Sequence, residues 1–399
     1  MEKIVTEGVK KEAVLGHSEM IVIFHTPSNA GYAMATLEKI FFDVACEVVG
    51  RRESVHFGFK DIESGMPWSL PASFKNVIAV DPSKPGSSEF LDAEQYIRDH
   101  HISIAMCFDM QPRSQLGNML RRAGVRKIVS YWGSTISSKN RGIRLLLKKL
   151  DVALSFNRPD LFIFESEGMR DLAVYGRGIR RAETRVVPTG IDINRFRPDK
   201  SARCYLGDSF DIAERETVVF YSGHMEERKG VRVIIEAAID LIDRRKVEDI
   251  CFLICGNRPG EEKLYLDILN GTLAEKKVIF AGYRSDLDRI IPGCDIGVIA
   301  STGWDSFPMS SLEMAACGLP VIVSDLEGIR ETIEPELTGF LFEPGSADQL
   351  ADKIILLKDN SEVLFRMSQN ARARIVAKFS TERQRRDLVT CINEIIVRS

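Results

Sequence analysis

Cysteine is scarce in this sequence: eight among 399 residues, too few and too scattered for a disulfide scaffold. The closest pair, Cys251 and Cys255, lies in an apolar run without C-x-x-C spacing, so reduced core thiols are expected and no metal site. Nowhere do about 18 apolar residues follow one another, which argues against a membrane-spanning helix. The opening MEKIVTEGVKKEAVLGHSE lacks the continuous apolar stretch of a signal peptide, so a cytoplasmic protein is expected. Net charge is almost absent: 54 Lys and Arg against 57 Asp and Glu leave −3, which gives no global attraction for nucleic acid. Tandem repeats and low-complexity tracts are missing as well. One deficiency is local. Residues 110–150 contain no Asp or Glu at all.

What remains is rich in core-forming residues, 44% hydrophobic, and long enough for two or three domains. Short apolar runs recur at 20–25, 54–59, 76–80, 102–108, 127–131, 161–164 and 185–188, each followed by a polar turn or a longer amphipathic segment such as 32–49. Many run apolar without alternation, as strands covered on both faces of a parallel sheet do. A polar, proline-bearing stretch at 194–200 reads as a linker. The rhythm then restarts, with strands expected at 217–223, 250–256, 278–282, 296–300, 320–324 and 339–342 and helices at 231–244, 309–316, 347–357 and 362–379. This predicts two doubly wound α/β domains, Rossmann-like in build, with a ligand cleft at the carboxyl ends of their strands.

The segment 303–323, GWDSFPMSSLEMAACGLPVIV, carries the strongest chemistry. A strand ends near Ala300, a polar loop holds Asp305, and a helix opens at Pro308, a residue favoured at the first helical position. Phe307, Pro308, Met309, Ser310, Ser311 and Leu312 would then surround an anion site made by free N–H groups and the helix dipole. Asp305 and Glu313 flank it with carboxylates that can accept hydrogen bonds from sugar hydroxyls.

The same segment resembles the E-x7-E signature of retaining glycosyltransferases of the GT-B fold, family four, matching it as D-S-F-P-M-S-S-L-E-M-A-A-C-G-L-P-V. The resemblance extends to Ser324 through Ile333, to LTGFLF at 337–342, to VPTGID at 187–192 with FRP at 196–198, and to SGHMEERKG at 222–230. It is dense in the C-terminal half and thin before it. It implies residues 1–194 as an acceptor-side domain, 195–380 as the nucleotide-sugar domain, and 381–399 as a helix packing back on the first. Glu313 would bind the donor's ribose and Asp305 the transferred sugar, one methylene shorter than the family's glutamate. Lys229 would neutralise the diphosphate, because metal-free departure needs cations on the leaving oxygen. His224 stands where the family has arginine and would help only when protonated. Gly223 lies in the same turn. Gly256, Tyr283 and Arg284, at the strand ends, would read the base. Gly31 would let the first β-α turn approach the donor. The family's histidine near 131 is replaced by Tyr131 and Trp132.

The resemblance therefore implies hexose transfer from a nucleotide diphosphate sugar, UDP-linked by preference, to a hydroxyl of a glycan or lipid-linked acceptor. No cofactor or metal is expected. Two alternatives stay open: a nucleotide-sugar epimerase of the same fold, and a non-catalytic sugar-nucleotide-binding protein. Independently of any family, the acid-free stretch 110–150 holds ten basic residues and ends in the basic amphipathic GIRLLLKKL. It has too few interleaved aromatics for nucleic acid, and an anionic membrane surface is the expected partner.

Overall fold

A computed structural model describes residues 18–397; most of the opening stretch, and Arg398 and Ser399 of the helix expected over 381–399, lie outside them. The chain divides into two compact units, Met1–Pro188 with Glu382–Ser399, and Thr189–Thr381.

Seven parallel strands build the sheet of the first unit: β1 (Glu19–Ile23), β2 (Val55–Phe59), β3 (Val77–Ala79), β4 (Ile102–Phe108), β5 (Lys127–Trp132), β6 (Leu161–Phe164) and β7 (Thr184–Val186), in the order 3-2-1-4-5-6-7. Six more build the second: β8 (Thr217–Ser222), β9 (Ile250–Cys255), β10 (Val278–Phe280), β11 (Ile296–Ile299), β12 (Val321–Ser324) and β13 (Gly339–Phe342), in the order 10-9-8-11-12-13. Both are doubly wound sheets whose order reverses beside the first strand, so that β1 meets β4 and β8 meets β11. This is the architecture of the two halves of the GT-B fold. The apolar runs without alternation are central strands buried on both faces: β4 and β9 are buried at every residue.

Register brings like residues together. Val22 of β1 lies opposite Phe57 of β2 and Met106 of β4. Phe24 then stacks with Phe41, Phe57 and Phe59, with ring centroids 5.6–6.4 Å apart. The Tyr32–Val49 helix buries Leu37, Ile40, Phe41, Val44, Ala45 and Val48, the three-and-four spacing of one face, and ends where Gly50 turns left-handed and donates to Cys46 O. The last helix, Thr381–Val397, belongs to this unit. Its Leu388, Ile392 and Ile396 enter the same core, Gln384 Nε2 donates to Tyr131 Oη at 3.1 Å, and Glu394 pairs with Arg185.

Two elements differ from the sequence reading. The helix expected over 231–244 is α-helical only over Val231–Ile239 and closes as a π-turn over Asp240–Arg244. The stretch read as a linker at 194–200 is packed into the second unit, and the boundary falls at Pro188 and Thr189. Phe196 is buried, Arg372 donates to its carbonyl at 2.8 Å, and Arg195 reaches Asp288 at 2.7 Å, so a polar side chain of the stretch serves packing against the unit rather than freedom.

Ile392 is fully buried in the first unit's core. Ile392→Ala is expected to cost about 2–5 kcal/mol, read as a lowered midpoint of denaturant unfolding by tryptophan fluorescence, to which Trp68 and Trp132 of that unit contribute.

Candidate functional site

The site is set by where the second sheet reverses. The loop after β8 and the loop after β11 leave adjacent strands, so Lys229 and Asp305, 76 residues apart, meet: Nζ lies 2.7 Å from Oδ2. Ser301 Oγ donates to the same oxygen at 2.9 Å, and the Ser306 N–H donates to Oδ1 at 3.0 Å. Asp305 is buried and the Lys229 side chain is 18% exposed, so the ammonium is the solvent-side member of the pair.

Backbone contacts hold the two loops together. Gly230 has φ 71°, and a Cβ there would fall 1.8 Å from Ala300 O. Thr302 N–H donates to Arg228 O at 2.8 Å. Arg228 closes the other side: its guanidinium sits over the Trp304 ring at 4.7 Å and donates to Trp304 O at 3.1 Å. Arg228, out of register for a phosphate contact, is thus the clamp of the loop that presents Asp305.

After this loop comes the Met309–Ala316 helix, whose N-terminal flanking residue is Pro308 in extended conformation, with no side-chain cap. Its first N–H groups therefore lack the oxygen acceptor that a Ser, Thr or Asp would supply. Ser311 is not available for a ligand through its hydroxyl, which donates to Thr332 Oγ1 at 2.8 Å. Phe307 and Leu312 are core residues, Phe307 packing on Phe379. Glu313 is buried on the same helix, and Met309 and Ser310 are half-buried at its mouth.

Gly223 and Gly256 mark the ends of β8 and β9. Gly256 has φ 107°, and a Cβ on it would lie 2.2 Å from Gly223 O, so this close approach admits glycine alone. His224 is exposed, and its carbonyl accepts from Tyr221 Oη at 2.9 Å; burial pushes the Tyr221 hydroxyl far up and keeps it a donor. Beyond Gly256, a cavity of about 720 Å³ is lined by Asn257, Arg258, Glu262, Phe280, Gly282 and Tyr283 among others. Tyr283 is exposed. The Arg284 side chain turns away into structure: it grips Asp286 at 2.6 and 2.8 Å, reaches Tyr205 Oη at 3.2 Å and covers the Phe210 ring.

Sequence reasoning missed Ser301 and Asn257. Ser301 is fully buried under Asp305, and Asn257 Oδ1 accepts from Gly282 N–H at 2.9 Å, tying the two strand ends around the cavity. Each is the small polar residue just past a strand, which is the only signal the sequence offers for them.

In the first unit, Gly31 has φ 122° and precedes the Tyr32–Val49 helix, with open space where a Cβ would point. Tyr131 and Trp132 are core residues. At the same carboxyl edge, Asp109 accepts from Gly133 N–H and Ser134 Oγ at 2.9 and 2.8 Å; burial raises its carboxyl pKa despite these bonds and the nearby His25. Among the described residues no cluster of three or more His, Cys, Asp or Glu is arranged to hold a metal.

Residues 208–374 match the family model described as glycosyl transferases group 1, in keeping with the resemblance carried by the motifs. A UDP-Gal:alpha-D-GlcNAc-diphosphoundecaprenol alpha-1,3-galactosyltransferase of Escherichia coli is 25% identical over 244 residues, 61% of this chain and 62% of its own length. An N,N'-diacetylbacillosaminyl-diphospho-undecaprenol alpha-1,3-N-acetylgalactosaminyltransferase of Campylobacter jejuni is 28% identical over 238 residues, 57% of this chain and 59% of its own. The match thus spans about three fifths of each of these relatives. Among solved structures, Anabaena HepE in complex with UDP superposes with a TM-score of 0.75 at 19% identity, over 94% of this chain and all of that one, a likeness of fold.

The pair at the sheet reversal can be tested without substrate. Lys229→Ala leaves the buried Asp305 carboxylate without its cation and should cost about 3 kcal/mol. Adding Asp305→Asn should return part of that loss, a coupling of about 0.5–3 kcal/mol in a double-mutant cycle by urea unfolding; additive losses would mean that the two side chains do not interact.

Proposed function

We propose that the protein is a retaining glycosyltransferase that moves a hexose from a nucleotide diphosphate sugar, UDP-linked by preference, to a hydroxyl of a glycan or lipid-linked acceptor at the cytoplasmic face of a membrane. The observation that carries this is the Lys229–Asp305 pair beside the uncapped start of the Met309–Ala316 helix, with Glu313 buried behind it.

Strand order supports a donor laid along the sheet edge. From β10 through β9 and β8 to β11 are three strand spacings, about 14 Å, a span suited to an extended nucleotide diphosphate sugar. The base belongs in the cavity by Gly256, Tyr283 and the Arg284 backbone, the ribose at Glu313, the diphosphate at Lys229 and the helix N–H groups, and the sugar at Asp305. Before the donor arrives, Asp305 holds the ammonium in position. A diphosphate competes for that ammonium and releases Oδ2 to a sugar hydroxyl. As the glycosidic bond to the phosphate breaks, Lys229 and the helix dipole stabilise the charge on the leaving oxygen. The acceptor hydroxyl attacks from the same face and passes its proton to that phosphate, which retains the anomeric configuration.

UDP is favoured because the galactosyltransferase relative is named for UDP-Gal, and the lipid-linked acceptor because both relatives are named for diphosphoundecaprenol-linked sugars. His224 is exposed, and in this reading Lys229, fixed by Asp305, carries the neutralisation.

Calorimetry with UDP, GDP and ADP, then product analysis with the matching donor sugars, tests the reading. Glu313→Ala should weaken nucleotide binding at least tenfold, about 1.4 kcal/mol. Asp305→Ala should spare UDP binding and lower turnover by about two orders of magnitude, the scale of losing one transition-state contact. If no nucleotide binds more tightly than millimolar, the transferase reading fails. Donor epimerisation or hydrolysis without any acceptor would favour the epimerase, and binding without turnover the non-catalytic alternative.

A further inference from the structure

We infer that the Gly142–Ala153 helix, with the turn that follows it, is a wedge that inserts its apolar face into an anionic lipid bilayer. Of its residues only Val152 is buried. Ile143, Leu146, Leu147, Leu150, Leu154 and Phe156 are between 48% and 89% exposed. The first five follow the spacing i, i+3, i+4, i+7, i+11, which at ~100° per residue makes one stripe about 100° wide. A contiguous apolar patch of this kind on an otherwise polar surface marks an interaction site.

The stripe points outward because the other face is tightly seated. Val152 packs with Trp132, Phe162, Phe164, Ala173 and Ile179, and at Gly178 a Cβ would lie 2.7–2.9 Å from Lys149 atoms, so the helix lies directly on that glycine.

Charge selects the occupant. Much of the basic stretch is spent elsewhere: Arg113 pairs with Asp151, Arg121 with Asp160 and Arg122 with Glu94. Arg141, Arg144, Lys148 and Lys149 are exposed on or just before this helix, with Arg144 and Lys149 on either side of the stripe, and no ion pair among the described residues engages them. Asp151, the helix's one acid, is already neutralised by Arg113 and Arg177. An apolar ridge on a helix whose only acid is paired and whose cations are available complements anionic headgroups over hydrocarbon. A second copy of the same face would bring like charges together, which disfavours self-association. Among the described residues no helix is long and apolar enough to cross a membrane, so the wedge lies in the interface. The contact is therefore narrower than the whole basic stretch, and it reaches past residue 150 to Leu154 and Phe156.

This gives the membrane side of the proposed function its contact, but it is measured without donor or acceptor, so the two can fail separately. The full chain is floated with phosphatidylcholine vesicles with and without phosphatidylglycerol. Binding should be about tenfold or more stronger to the anionic vesicles. Arg144→Glu with Lys148→Glu should erase that preference, and Leu147→Glu with Phe156→Glu should abolish binding even at low salt. Phe156→Trp should show a blue-shifted emission that brominated lipid quenches. All these positions are exposed, so far-UV circular dichroism and UDP calorimetry should match the unaltered chain. Equal binding to neutral and anionic vesicles, emission from the Phe156→Trp variant that brominated lipid leaves unquenched, or unchanged binding after the two apolar substitutions would overturn the inference. So would a dimer in sedimentation that Leu147→Glu dissociates, since the occupant would then be a second copy.

Discussion

The second unit depends on one close approach, the alpha carbon of Gly230 against the carbonyl of Ala300. Strand pairing brings β8 and β11 side by side, but pairing alone fixes only the strands. The loops beyond them are free to part unless something holds them, and here the hold is backbone contact, with no room for a side chain. Lys229 immediately precedes that glycine, and Asp305 follows Ala300 after a short clamped loop. Their ion pair is thus a consequence of sterics before it is a fact of electrostatics. A buried carboxylate with a half-buried ammonium is costly to assemble by attraction alone. Presenting both groups from rigid strand ends reduces the conformational entropy that such a pair would otherwise lose.

The same economy governs the neighbouring strand ends. Gly223 and Gly256 touch, and Asn257, which lines the cavity beyond β9, ties Gly282 to this strand end. Polar groups that would be exposed loop features in another context become walls because their hydrogen bonds are satisfied internally. Arg284 illustrates the opposite outcome. Its guanidinium is committed to Asp286 and Tyr205, so this charge holds structure together, while Tyr283 beside it is exposed.

Much of this architecture was legible in the sequence because buried parallel strands leave unbroken apolar runs, and those at 102–108, 161–164 and 339–342 matched to the residue. The helix opening at Met309 was legible for a different reason, the proline before it. What could not be read was adjacency. Ser301 under Asp305, and Arg228 over Trp304, are products of strand order, which local pattern does not encode. The polar stretch at 194–200 misled because Phe196 is a single apolar anchor among charged neighbours, and composition averages it away. On the outer helix the sequence revealed the amphipathic pattern but not its orientation. Leucines at core-like spacing read equally well as buried, and the packing of Val152 with the seat on Gly178 turns them outward.

The return of the Thr381–Val397 helix to the first unit makes that unit discontinuous in the chain. During synthesis its seven strands leave the ribosome well before the helix that covers Phe41 and Tyr131, with the whole of Thr189–Thr381 still to come. At ~5–20 residues per second that interval is about 10–40 s. For that time the nascent first unit carries an open apolar groove while the second unit, continuous in sequence, can fold to completion. The order of birth is therefore expected to invert the order of maturation: the half made first is finished last, and chaperone demand should fall on the groove that awaits Leu388 and Ile392.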